Sequence, residues 1–287
     1  MALDFVKHNP LSRGILEYVL RRRCHSTKAF VFVASPGRSG SKTLSDMLTG
    51  IPGIAAFHEP TPNLIFEPAC GPDQAAYLRS MFFEKKIFYV LRAAAGHSHY
   101  VETNHLFIKT FAEPAIEYFG DRTQIVHLRR DAISVALSFY KLGEIPGVEE
   151  VARRYMLDPA GSGNLVDPTL LLQAGSGFEH PFYRCLWYWH EIEARIARAK
   201  AQYPNVRWHF LETDQLNDAG AVRDLCRALT IDSHVDEIVR RAGLRSNLRT
   251  EKKDVAAPQM DPLSREQAAQ MHARLIEALG LDVDPCR

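Results

Sequence analysis

Apolar residues recur along this chain in two rhythms. The run Ala29-Phe30-Val31-Phe32-Val33 is apolar throughout, the pattern of a strand buried on both faces. A Gly/Ser-rich stretch follows, and then Leu44, Met47 and Leu48 return at helical spacing, so this part reads strand, loop, helix. Four more short apolar runs predict buried strands: Ile87–Leu91, Leu106–Lys109, Gln124–Leu128 and Val206–Leu211. Helical patterns lie between most of them. One follows Arg130, with Ile133, Ala136, Leu137 and Tyr140 on one face. A longer one starts near Pro181, carries Leu186, Trp189, Ile192 and Ile196, and ends before Pro204. The last starts at Ser264, with Gln267 placed for a capping box, and stops at Gly280. Strands alternating with helices predict an α/β fold: three layers, α/β/α, around a mostly parallel central sheet. Ligands of such sheets bind at the carboxyl ends of the strands, which is where the loop after Val33 falls.

Composition narrows the class. The 287 residues are 46% hydrophobic and 24% charged, with a net charge near +1, so a normal core is available and any anion site is local rather than global. A nucleic-acid partner is not expected. Cys24, Cys70, Cys185, Cys226 and Cys286 are odd in number and widely spaced, which points to thiols in a reducing, cytoplasmic compartment rather than to a disulfide set. Asp4, Lys7, Arg13 and Glu17 interrupt any leader-like apolar stretch, and there is no run of about 18 apolar residues to span a bilayer. Ser12–Arg23 is amphipathic, with Ile15, Leu16, Val19 and Leu20 ahead of three arginines; it either packs beside the first strand or rests on a membrane surface.

The loop after the first strand, Ser35-Pro36-Gly37-Arg38-Ser39-Gly40-Ser41-Lys42-Thr43, has the chemistry of an anion cradle. Glycines let successive N–H groups converge, and the helix start adds unpaired donors and partial positive charge. Arg38 and Lys42 add full charges, and Ser39, Ser41 and Thr43 add hydroxyls. A Walker A loop is excluded, because its two glycine positions hold Pro36 and Ser41.

These residues resemble the 5′-phosphosulfate loop of sulfotransferases that use 3′-phosphoadenosine 5′-phosphosulfate (PAPS), which often reads G-R-S-G-S. A second stretch, Arg129-Arg130-Asp131 through Ser138-Phe139-Tyr140, resembles that family's 3′-phosphate motif, an arginine at a strand end followed eight residues later by a serine. Physically, Arg130 is able to fork onto a phosphate and Ser138 to add a hydroxyl. Lys42, Asp131 and Ala132 depart from the commonest family residues. The resemblance implies a P-loop NTPase-like sulfotransferase fold over a single domain (1–287, with 24–145 as the PAPS-binding core), no metal, and the product adenosine 3′,5′-bisphosphate (PAP). It also implies that Gly37 to Thr43, Arg130 and Ser138 hold PAPS, with Arg38 on the transferring group.

Sulfuryl transfer needs a base for the acceptor hydroxyl and positive charge on the departing oxygen. His58-Glu59-Pro60 resembles the Glu-containing stretch of tyrosyl-protein, carbohydrate and some bacterial sulfotransferases, which makes Glu59 the expected base. His58 is the alternative, since histidine serves the cytosolic small-molecule branch. The basic group Arg245, Arg249, Lys252 and Lys253 is either a loop closing over the 3′-phosphate or a solvated charge run. Segment 158–180 is either a mobile acceptor loop or a surface excursion. Lys109 ends a predicted strand and either faces the same pocket or is a structural lysine, and His97, His99 and His105 lack the spacing of a zinc site. The acceptor hydroxyl (sugar, lipid, phenol or peptidyl tyrosine) stays open. Two rivals also stay open: a P-loop-type kinase for a small hydroxyl substrate, and a non-catalytic nucleotide-binding protein.

Overall fold

The sheet is built around one strand, β1 (Ala29–Ala34), every residue of which is buried. The computed structural model describes residues 10–242 and 260–281. Helix α1 (Pro10–Arg23) precedes β1, and α2 (Ser41–Leu48), β2 (Ile54–His58), α3 (Gln74–Met81), α4 (Ile87–Ala94) and β3 (His99–Thr103) follow it. Next come α5 (Ala112–Phe119), β4 (Thr123–Arg129), α6 (Ala132–Lys141), α7 (Glu150–Tyr155), α8 (Thr169–Leu172) and α9 (Pro181–Gln202). The described chain closes with β5 (Arg207–Glu212), α10 (Ala219–Ala228), α11 (Val235–Arg241) and α12 (Arg265–Leu279).

The five strands lie in the order β2-β3-β1-β4-β5, all parallel. Alternate residues of β1 feed two cores. Phe30, Phe32 and Ala34 join one with Val90, Ile116, Val135 and Leu186, from helices α4, α5, α6 and α9. Ala29, Val31 and Val33 join the other with Leu44, Met47, Val222 and Ile238, from α2, α10 and α11. Both faces of the sheet are therefore covered by helices, which is why its central strand is apolar on both sides.

The expected strands β1, β4 and β5 are present, though β5 is an edge strand with Leu211 alone buried rather than a buried one; the helices after Arg130, from Pro181 and from Ser264 are also present, the last with its Ser264–Gln267 capping box. Two expected strands are corrected. Ile87–Leu91 belongs to helix α4, where Ile87, Val90, Leu91 and Ala94 are buried at helical spacing while Phe88 and Tyr89 are half-buried. Leu106–Lys109 leads into a wide helical turn, Phe107–Phe111, that runs on into α5. In their place stand β2 and β3. Strand β3 is fully buried yet polar at His99, Glu102 and Thr103.

A buried ion pair makes that polarity tolerable. Lys86 Nζ lies 2.7 Å from Glu102 Oε1 with both side chains sealed from solvent. Glu102 also accepts from Tyr100 Oη at 2.6 Å and Asn104 Nδ2 at 2.9 Å, and Lys86 donates to the Pro60 carbonyl at 3.1 Å. The pair ties β3 to the segment that follows Glu59.

Segment 158–180 contains α8 and is fastened to α9. The backbone N–H groups of Leu165 and Val166 both donate to Glu191 Oε2 at 2.8 Å, and Trp187 Nε1 donates to the Val166 carbonyl at 3.0 Å. Arg245, Arg249, Lys252 and Lys253 lie outside the described residues. Among the described residues no helix is long and apolar enough to cross a membrane, and Cys24, Cys70, Cys185 and Cys226 are free thiols.

Removing one partner of a buried pair strands the other's charge. Lys86→Met is expected to cost about 3–5 kcal/mol in urea unfolding, and Lys86→Met/Glu102→Gln to recover part of it.

Candidate active site at the strand tips

Because all strands run the same way, their carboxyl ends meet along one edge, and each opens into a residue of one cavity. This cavity is about 690 Å³, within the usual size of a small-molecule site. Its lining includes Gly37 and Arg38 after β1, His58 and Glu59 at the end of β2, and His105 after β3. Arg130 after β4 and Thr213 and Asp214 after β5 complete the floor.

The turn after β1 is left-handed at three positions, with φ +89° at Gly37, +58° at Arg38 and +83° at Gly40. Gly40 has a second reason to lack a side chain, since a Cβ there would lie 2.9 Å from Leu216 Cδ1. Gly40, Ser41, Lys42 and Thr43 then line the cavity at the start of α2. Ser39 does not. It is fully buried, and its hydroxyl donates to the Gly37 carbonyl at 3.0 Å, so it braces the turn. Lys42 is paired with Asp46 one turn along α2.

The two motifs from distant parts of the chain meet here. Arg130 Nη1 donates to the Arg38 carbonyl at 3.0 Å, 92 residues away in sequence. Arg38 Nε donates to Ser138 Oγ at 2.8 Å. The two expected cradles are thus contiguous, with the Arg38 side chain reaching from one to the other. Asp131, between them, caps α6 by accepting from the Ser134 N–H at 2.9 Å. A neighbouring cavity of about 500 Å³ shares Arg130, Thr213 and Asp214 and adds Ser134, Trp189, Arg265 and His272.

Across the turn sits a carboxylate–imidazole pair. Glu59 Oε1 is 2.7 Å from His105 Nδ1. Burial alone raises the Glu59 carboxyl, but the His105 hydrogen bond, with His58 and Lys109 nearby, outweighs it and holds the group down at about 2. Burial lowers His105, with Lys109 adding to the effect and Glu59 opposing it. At neutral pH the pair is therefore carboxylate and neutral imidazole, so the shared proton sits on Nδ1 and Nε2 is the nitrogen left to accept another. His58, lowered mainly by burial, is turned toward Thr103, with Nδ1 2.9 Å from the hydroxyl and 3.1 Å from the carbonyl.

The sequence offers His105 only as a candidate zinc ligand, because the polar residues of β3 hide the strand whose tip it follows. Among the described residues no group of His, Cys, Asp and Glu is arranged to hold a metal ion, and His99 instead reaches the Leu229 carbonyl. Lys109 does not end a strand. It is buried four residues beyond His105, and Nζ donates to the Tyr155 carbonyl at 2.6 Å and Tyr188 Oη at 2.7 Å. Tyr188 Oη in turn donates to the Pro36 carbonyl at 3.3 Å. Burial depresses this lysine well below its ordinary range. The outer wall of the cavity comes from Phe139, Glu144, Glu149, Ala152, Tyr155 and Met156, and not from segment 158–180.

The Glu59 shift sets an acid dependence. Its folded value lies below the usual 4.5, so its contribution to stability is fully present above pH 4.5 and fades as the pH falls toward 2. Thermal melts of Glu59→Gln are expected to lose less stability over that window than the wild type.

No family model matches the chain, and no curated protein or solved structure does either.

Proposed function

We propose that this protein is a PAPS-dependent sulfotransferase that moves a sulfuryl group to an acceptor hydroxyl. The observation that carries this reading is the convergence of Arg130 and Ser138 on Arg38, 3.0 Å and 2.8 Å away. A 3′,5′-bisphosphorylated nucleotide needs a second set of anion donors beside the 5′-phosphate turn, which Arg130 and Ser138 supply, whereas a kinase cleft has use for the turn alone. The reading brings with it the finer fold assignment, a P-loop NTPase-like sulfotransferase arrangement of the parallel sheet.

In this account the turn 37–43 and the N-terminus of α2 hold the 5′-phosphosulfate, and Arg130 and Ser138 hold the 3′-phosphate. Arg38 moves its guanidinium from Ser138 to the bridging oxygen when the nucleotide enters. The acceptor oxygen then bonds to sulfur as the bond from sulfur to the 5′-phosphate oxygen breaks. The electron pair leaves with that phosphate as PAP, and Arg38 stabilises the charge. His105 Nε2 takes the acceptor proton while Glu59 holds the imidazole in the required tautomer and stabilises its cation. In this reading Glu59, the expected base, works through His105, whose Nδ1 lies 2.7 Å from its carboxylate.

Transfer of labelled sulfate from PAPS is expected with at least one member of a panel of phenols, sugars, sterols and tyrosyl peptides. His105→Ala is expected to lower kcat by about 10²–10⁴-fold with PAP affinity unchanged. Arg130→Ala is expected to weaken PAP binding by about 10–100-fold. Thermal stabilisation by ATP with Mg²⁺, with none by PAP, would favour the kinase reading and overturn this one.

A further inference from the structure

Helix α1 meets the rest of the protein with one side and leaves an apolar side uncovered. Leu16 and Leu20 pack into the core, and Cys24 Sγ donates to the Leu91 carbonyl of α4 at 3.0 Å. On the opposite side Ile15, Tyr18 and Val19 are 66%, 59% and 46% exposed. With Arg22 these residues fall at i, i+3, i+4 and i+7, one continuous stripe of a helix. A helix whose only task is to cover α4 needs apolar residues on one side alone.

The charge around the stripe has a single sign. From Pro10 to Lys28 the chain has Arg13, Arg21, Arg22, Arg23 and Lys28 against one acid, Glu17. Glu17 accepts from Tyr118 Oη at 2.6 Å on the packed side. Arg13 is likewise spent inward, on the Phe83 carbonyl. Arg21, Arg22 and Arg23 are exposed and flank or extend the apolar stripe, and the Arg22 guanidinium folds back over the Tyr18 ring. An apolar strip bordered by long cationic side chains matches a lipid surface, where acyl chains take the strip and anionic headgroups take the arginines.

We propose that α1 docks this protein on an anionic membrane surface. The helix ends shortly before β1 begins, so its arginine end lies at the amino edge of the sheet, opposite the edge that holds the cavity. Docking there leaves the cavity open to water. The inference is independent of the sulfotransferase reading.

Vesicle co-sedimentation of the full chain tests it, with phosphatidylcholine alone and with 30 mol% phosphatidylglycerol as about a third of the lipid. Each arginine near an anionic surface contributes about fivefold, so roughly 100-fold tighter binding to the anionic vesicles is expected. Ile15→Ser/Tyr18→Ser/Val19→Ser is expected to abolish binding, and so is Arg21→Gln/Arg22→Gln/Arg23→Gln. All six positions are exposed except where Arg21 and Arg22 lie over tyrosine rings, and melting curves check that each variant is folded. Equal binding to both vesicle types, no binding to either, or full retention in either variant overturns the proposal. So does a concentration-dependent dimer in light scattering that the serine variant abolishes, because a second copy would then be the occupant.

Discussion

The site depends on strand polarity. With five strands parallel and β1 in the middle, every strand delivers its carboxyl end to the same edge, and residues remote in sequence meet without any loop having to travel far. The registers make this concrete: Phe32 pairs with Glu102 on one side and Ile125 on the other, so the turns after β1, β3 and β4 leave the sheet side by side. Reversing one strand would send its functional residue to the opposite edge. The buried Lys86–Glu102 pair matters for this reason, since it anchors β3, the strand that presents His105, to the segment following Glu59.

Electrostatics divides the cavity into two parts. Arg38, Lys42 and Arg130 gather on the turn side, while Glu59, His58 and His105 gather at the tips of β2 and β3. Lys42 is partly neutralised by Asp46, and Arg38 and Arg130 line the cavity beside it. The depression of Glu59 keeps that carboxylate charged, and a charged carboxylate against Nδ1 prepares His105 to become a cation. The link from Lys109 through Tyr188 to Pro36 joins the outer wall at Tyr155 to the turn after β1.

Much of this was legible in the sequence, for identifiable reasons. β1 stood out because both its faces are buried, and α6, α9 and α12 because period and caps agreed. Ile87–Leu91 reads as a strand because a short apolar run does not distinguish a buried strand from a buried helix turn; Ile87, Val90, Leu91 and Ala94, taken together, carry the helical period. β3 was hidden by its own chemistry, since His99, Glu102 and Thr103 look like a surface strand or loop until Lys86, Tyr100 and Asn104 are seen to satisfy them. Missing β3 meant missing His105, whose position two residues past a strand tip was the only local signal. The turn after β1 and Arg130 stand out without tertiary knowledge, because glycines, hydroxyls and cations concentrate there directly after strands, and the structure brings the two into one cavity.

The central claim is that one nucleotide bridges the turn at Gly37 and the Arg130–Ser138 pair. A crystal structure of the protein with adenosine 3′,5′-bisphosphate tests it most directly. The account predicts the 5′-phosphate on the backbone N–H groups of residues 37–43, the 3′-phosphate on the side chains of Arg130 and Ser138, and the Arg38 guanidinium withdrawn from Ser138. A nucleotide bound with its 3′-phosphate in solvent, or bound away from the turn altogether, would contradict it.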